Sequence, residues 1–221
     1  MDLTSTTSAE KYLYSIDPAS DTAGAQVLRL VGTKKNVLEL GAGPGGISRP
    51  LVKLNMCQVT ALEMDSASVQ ILRDFCHHVV QADLNAMDWT SKLPTPLYEV
   101  VVIADVLEHL YDPWRTLRQV HDLIPDDGCV VVSIPHSSHA ALIACLLEGD
   151  IRYSEWGLLD KTHIRFFSLA NIQTLFEGAG LKIIDACFVL RHPTETEFKD
   201  IWEGLPHEAQ ALLDSKPEGH I

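Results

Sequence analysis

The chain has 221 residues, 46% of them hydrophobic and 21% charged, and 30 acidic residues against 17 basic ones leave a formal net charge of −13. That length suits one substantial domain with a short appendage rather than two full domains. The acidity argues against a nucleic-acid footprint, which needs clustered Lys/Arg to replace phosphate counterions, although a single base or nucleotide stays open as a substrate.

The N-terminal stretch "MDLTSTTSAEKY" is polar, with no basic start followed by an apolar run, and no segment has the length of a bilayer span. The expectation is a cytoplasmic protein with no membrane partner. Residues 1–32 form a cap segment in which "TAGAQVLRLVG" is helix-like, with Tyr12 and Tyr14 placed to close a site from that side. A run of β-branched segments then begins with "NVLEL" (36–40) and "CQVTALE" (57–63). It continues with the weaker "HVVQA" (78–82), then "YEVVVIA" (98–104) and "CVVVSI" (129–134). Near-continuous apolar runs of this length fit strands buried on both faces of a parallel sheet.

Helical patterns separate the strands. "DPWRTLRQVHDLI" has Pro113 in its first turn and Trp114, Leu117, Val120 and Ile124 on one face. "SLANIQTLFEGAG" has Ser168 as N-cap, Ile172, Leu175 and Phe176 facing inward, and glycines at its end. "LKIIDACFVL" (181–190) reads as a sixth strand. The alternation predicts an α/β fold with a doubly wound, mostly parallel sheet over residues 33–190, followed by a tail over 191–221. Residues 136–167 break the alternation and hold three histidines and several aromatics, a candidate lid. Five scattered cysteines without a C-x-x-C pair, four of them inside apolar runs, read as reduced core thiols.

The chemistry concentrates after the strands. In "NVLELGAGPGG", Gly41, Gly43 and Gly46 satisfy the dinucleotide pattern G-x-G-x-x-G, while Gly41, Gly43 and Gly45 satisfy the G-x-G-x-G of S-adenosylmethionine (SAM) enzymes. A dinucleotide brings a pyrophosphate to this turn, whereas SAM brings a sulfonium and an ammonium. Acids end the first four strands: Glu39, Glu63, Asp83 and Asp105. Four carboxylates suit a cationic ligand and repel a pyrophosphate, and Pro44 removes an N–H that a phosphate would want. Glu63 lies 22 residues after Gly41, placed for ribose hydroxyls, a feature that NAD sites share.

"VLELGAGPGG", "VTALEMD", "QADL" and "YEVVVIADVLEHLYDPWRTLRQ" resemble the successive motifs of the class I SAM-dependent methyltransferases, from about residue 18 to 190. "IPHSSH" and "GDIRYSEWGLLDKTHIRFFS" resemble a bacterial branch acting on small molecules, often sugars or other polar metabolites. The resemblance implies a Rossmann-like methyltransferase fold, with SAM as cofactor and S-adenosylhomocysteine as product. It implies cofactor contacts from Glu39, Gly41, Ala42, Gly43 and Gly45 at the first turn, and from Glu63 and Met64 at the second. Asp83 and Leu84 are expected beside the adenine, with Met64 and Trp89 either flanking that ring or packing in the core, and Ala104 and Asp105 beside the methyl donor.

His136, His139 and His163 are the candidate general bases, since histidine titrates in the useful range. Glu108 and His109 read as caps or partners of buried amides, with a direct catalytic part as the alternative, and Tyr153, Trp156, Arg152 and Arg165 as the substrate wall, with a lid carrying its own small core as the plainer alternative. No metal is expected. Two departures from the family pattern stand out: His136 replaces the branch's usual Asn, and residues 191–221 show no seventh strand. The expected activity is methyl transfer to a hydroxyl oxygen of a small molecule by a monomer or homodimer. An N-methyltransferase, a catalytically silent SAM-binding module and an NAD-dependent oxidoreductase remain as alternatives.

Overall fold

The computed structural model describes residues 15–94, 97–216 and 218–221, so Tyr12 and Tyr14 lie outside the described residues. Five parallel strands form one sheet in the order β3-β2-β1-β4-β5, namely β1 (Asn36–Leu40), β2 (Gln58–Glu63), β3 (His78–Gln81), β4 (Val100–Ala104) and β5 (Cys129–Ser133). β1 is central, with Val37 level with Val59 of β2 and Val100 of β4. The order reverses there, so the crevice above β1 and β4 is where an open α/β sheet takes its ligand.

Alternate side chains divide the interior into two cores. Leu38, Leu40, Leu62, Val101 and Ile103 enter one face, with Leu117, Val120 and Leu175 packed on them from α4 (Pro113–His121) and α6 (Leu169–Glu177). Val37, Val59, Ala61, Val100 and Val102 enter the other face. Val27, Leu28 and Val31 of α1 (Ala23–Val31), Leu51 of α2 (Ser48–Lys53) and Leu72 of α3 (Ser66–Leu72) cover it. Helices on both faces explain why these strands lack a polar side. Trp114, expected on the inward face of α4, is 43% exposed, while Leu117 and Val120 are fully buried.

The tail builds a third cluster. Phe198, Ile201, Trp202 and Leu205, from around α7 (Lys199–Gly204), pack with Ala140, Ala141, Ala144 and Cys145 of α5 (Ala140–Glu148). α8 (His207–Asp214) adds Leu213. Residues 136–167 and the tail thus share a small core of their own.

The expected sixth strand is not formed. Residues 182–190 make no backbone–backbone hydrogen bond among the described residues, and Ile184 and Leu190 are 83% and 66% exposed. A β-branched run favours extended backbone, but a strand exists only where a neighbour offers a ladder. Cys129 and Ser133 direct their main-chain groups to the β4 side, where Cys129 donates to Glu99 and Asp105 donates to Ser133. Val130 and Val132 therefore present theirs to the outer edge, which stays unpaired among the described residues.

Candidate active site

β1 ends by delivering Glu39 beneath the glycine turn. Gly41 has φ 67°, and a Cβ there would stand 2.7 Å from Val106 Cγ2; Gly45 has φ 94°, and a Cβ there would run into Phe75 Cζ. Both positions combine a left-handed backbone with contact at the limit of packing, so only glycine fits. Glu63 holds the turn from β2: its Oε2 accepts from the Gly43 amide at 2.8 Å, and its Oε1 from the Met64 and Asp65 amides at 2.8 Å each. Asp83 accepts from the Asn85 amide at 2.8 Å. Asp105 has φ 52°, and its Oδ1 accepts from Ser133 Oγ at 2.9 Å.

These strand ends open onto one cleft of about 1490 Å³. Glu39, Gly41, Ala42 and Gly43 line it, as do Glu63, Met64, Asp83, Leu84, Ala104 and Asp105. Gly45 lies behind the wall, against Phe75. Met64 stands at the rim, 64% exposed. Trp89 is no cofactor flank: it is fully buried in the core, and its Nε1 donates to Gln119 Oε1 at 2.8 Å.

The cleft is short of positive charge. Burial pushes the Glu39 carboxyl up to about 8, opposed by the hydrogen bond it accepts from Ser48. Water reaches Asp105 through the cleft mouth, yet the protein around it strips enough solvent to raise its pKa, against the Ser133 hydrogen bond. Carboxyls held above their usual range by desolvation gain most from a cationic ligand. The donor set therefore fits a sulfonium and an ammonium, and it does not fit a diphosphate.

The three histidines separate by their partners. His139 caps α5, with Nδ1 accepting from the Ala141 amide at 3.1 Å and Nε2 donating to the Arg191 carbonyl at 2.9 Å, so both nitrogens serve the scaffold. His136 Nε2 lies 3.3 Å from the Leu169 amide and 3.2 Å from Glu218 Oε2, while its buried Nδ1 has no hydrogen-bond partner among the described residues. His163 lines the cleft, donates from Nδ1 to the Leu158 carbonyl at 3.3 Å, and turns Nε2 toward Glu108 Oε1, 3.9 Å away. Burial, then the neighbouring His109, lowers the His163 pKa, which keeps the ring neutral at physiological pH.

Glu108 corrects the expectation of a capping residue. It is 1% exposed, and neither carboxylate oxygen has a hydrogen-bond partner among the described residues. Burial and then Asp105 hold its pKa well above the usual carboxylate range. Only its backbone carbonyl plays a structural part, accepting from the Ile164 and Arg165 amides and tying residues 164–165 to the end of β4. Of the expected wall, Trp156 lines the cleft. Tyr153 is 66% exposed outside it, Arg152 is paired with Asp150 and Asp200, and Arg165 donates to the Tyr111 carbonyl at 2.7 Å.

Known proteins resemble this chain in sequence and in fold. A family model described as a methyltransferase domain matches residues 19–186. The ubiquinone biosynthesis O-methyltransferase of Aeromonas salmonicida is 25% identical over 171 residues, covering 75% of this chain and 70% of that protein. The protein of that name from Coxiella burnetii is 24% identical over 196 residues, covering 85% and 80%. Among solved structures, a SAM-dependent methyltransferase of Thermotoga maritima, described as a possible histamine N-methyltransferase, superposes with a TM-score of 0.57 at 18% identity over 79% of this chain and 78% of that one. A SAM-dependent methyltransferase of Archaeoglobus fulgidus gives 0.55 at 18% identity over 81% and 85%. No described helix is long and apolar enough to cross a membrane. The match over most of the chain, the sheet order and the acid-lined cleft agree: the chain belongs to the class I SAM-dependent methyltransferases.

Proposed function

We propose that the protein methylates a hydroxyl oxygen of a small, polar molecule, with His163 taking the hydroxyl proton. The observation that carries this reading is the neutral His163 ring, whose Nδ1–H is spent on the Leu158 carbonyl and whose Nε2 lies in the cleft beside the buried Glu108. When bound, SAM supplies a methyl group already activated by its sulfonium. Glu39, the glycine turn, Glu63, Asp83 with Leu84, and Asp105 are the residues to hold it, through carboxylates for its cationic end and its hydroxyls.

The chain's remaining task is alignment and proton removal. His163 Nε2 accepts the proton as the acceptor oxygen forms its bond to carbon, and the broken C–S bond leaves its electron pair on sulfur. Glu108 Oε1 lies 3.9 Å from Nε2, so the carboxylate formed once Glu108 loses its own proton pairs with the imidazolium that results. The names of the O-methyltransferase relatives support oxygen as the acceptor atom.

The test is transfer of labelled methyl from SAM to a panel of phenols, sugars and amines. Hydroxyl acceptors are expected to be labelled, and His163→Ala is expected to lower kcat at least tenfold while SAM affinity changes little. Labelling of amines alone overturns the acceptor assignment. Equal turnover by His163→Ala removes that residue from the chemistry, and tight SAM binding with no transfer to any acceptor indicates a silent module.

A further inference from the structure

The ligand-capable atoms of Glu108, His109 and His163 all lie within 4.8 Å of one another. The rings of His109 and His163 meet edge to face, with centroids 4.7 Å apart. Both imidazoles have their tautomers set from behind. His109 Nδ1 lies 3.1 Å from the Thr162 carbonyl, and His163 Nδ1 lies 3.3 Å from the Leu158 carbonyl. A carbonyl can only accept, so each Nδ1 carries the hydrogen and each Nε2 keeps a lone pair. Thr162 reinforces this setting: its hydroxyl donates to Asp160 Oδ1 at 2.6 Å and so faces His109 as an acceptor. Beside the two rings lies Glu108, 1% exposed, with neither side-chain oxygen hydrogen-bonded among the described residues.

Two lone-pair nitrogens beside a buried carboxyl group without a hydrogen-bond partner form an arrangement that costs free energy, and a cation that displaces the carboxyl proton satisfies all three groups. Imidazoles fixed through Nδ1–H to backbone carbonyls are the usual outer support of metal-binding histidines. We propose that Glu108, His109 and His163 hold a divalent transition-metal ion at the floor of the cleft. Two nitrogens and one oxygen suit zinc, cobalt or manganese, whereas magnesium and calcium prefer all-oxygen sites. Metal bonds of roughly 2.1 Å bring tetrahedral donors to about 3.4 Å apart, so side-chain rotation closes the present spacing. Three protein ligands leave positions open toward the cleft, where an acceptor hydroxyl can bind and lose its proton more easily. That last step rests on the hydroxyl-acceptor reading, and with the ion bound it replaces proton acceptance by His163, whose Nε2 lone pair the ion then holds. The site itself does not rest on that reading.

A second cluster, His192, Asp214 and His220, has the same composition and a different environment. Its carboxylate is already engaged, 3.1 Å from His220 Nε2 and 3.6 Å from His192 Nε2, and its members are 35–43% exposed.

The full-length, tag-free chain is stripped with a chelator and titrated with Zn2+, Co2+ and Mg2+, without SAM or acceptor. Expected are one equivalent of zinc retained through gel filtration, visible ligand-field bands with cobalt, and no retained magnesium. Glu108→Gln, His109→Ala and His163→Ala should each weaken zinc binding at least tenfold, with SAM affinity as the control for folding. Glu108 is buried and His109 half-buried, so His109→Ala decides the matter if the Glu108 variant fails to fold. No retained zinc overturns the proposal, as does retention unchanged in His109→Ala or lost only in a His192→Ala/His220→Ala double variant. Because no acceptor is present, this outcome is independent of the methyl-transfer assay.

Discussion

Glu39 shows how a single side chain links packing to ligand choice. Unfolded, its carboxyl titrates near the ordinary 4.5; folded and ligand-free, it keeps its proton to about 8. Between those values the folded state holds the extra proton, so Glu39 withdraws stability as pH climbs through that window. A sulfonium or ammonium in the cleft favours the carboxylate. SAM binding should therefore release a proton below pH 8, and affinity should rise as pH approaches 8. Calorimetry in two buffers of different ionisation enthalpy reads that proton, and Glu39→Gln subtracts the titration of SAM's own amine. Equal proton release by the variant would exclude Glu39 as the source.

Glu63 makes a complementary case, because it accepts three backbone amides at 2.8 Å while lining the cleft. Glu63→Ala should cost about 1–3 kcal/mol of stability and weaken SAM binding by a similar amount, because the amides lose their acceptor. Thermal unfolding and titration check the two effects separately. Full SAM affinity in a destabilised variant would make Glu63 a brace for the turn alone.

At the scale of elements, the strands were legible because burial on both faces makes them nearly continuous in apolar residues. The α6 N-cap was legible because Ser168 side-chain chemistry is local: its Oγ accepts from the Asn171 amide. The sixth strand was misread because its pairing partner is not local. The small core under the tail gives a prediction at this scale. Trp202→Ala removes a side chain 3% exposed from the cluster that backs α5, and should cost about 3–5 kcal/mol. SAM affinity should survive, since the glycine turn belongs to a different core. A parallel loss of SAM affinity would show that the two cores unfold as one.

For the whole molecule, protection should grade outward from the middle of the sheet. Amide hydrogen exchange is expected to be slowest in β1, β2 and β4, each paired on both sides, and close to unprotected rates over residues 182–190. Strong protection of 182–190 in dilute solution would show that this segment pairs in solution.

The glycine turn, the strand-end acids and the order of the elements could be read from the chain because each depends on neighbours a few residues away, or on a fixed periodicity. The division of labour among the histidines could not. His136, His139 and His163 look alike in sequence, and only folding spends both nitrogens of His139 on the scaffold. Glu108 and His109 gave a weaker signal still, two polar residues in "DVLEHL" whose local geometry resembles a cap. Their meeting with His163 comes from a loop that returns across 53 residues to set Thr162 against His109. Local periodicity determines the scaffold, and long-range closure decides which side chains converge, because lone pairs and charges act over a few ångströms of space regardless of their separation along the chain.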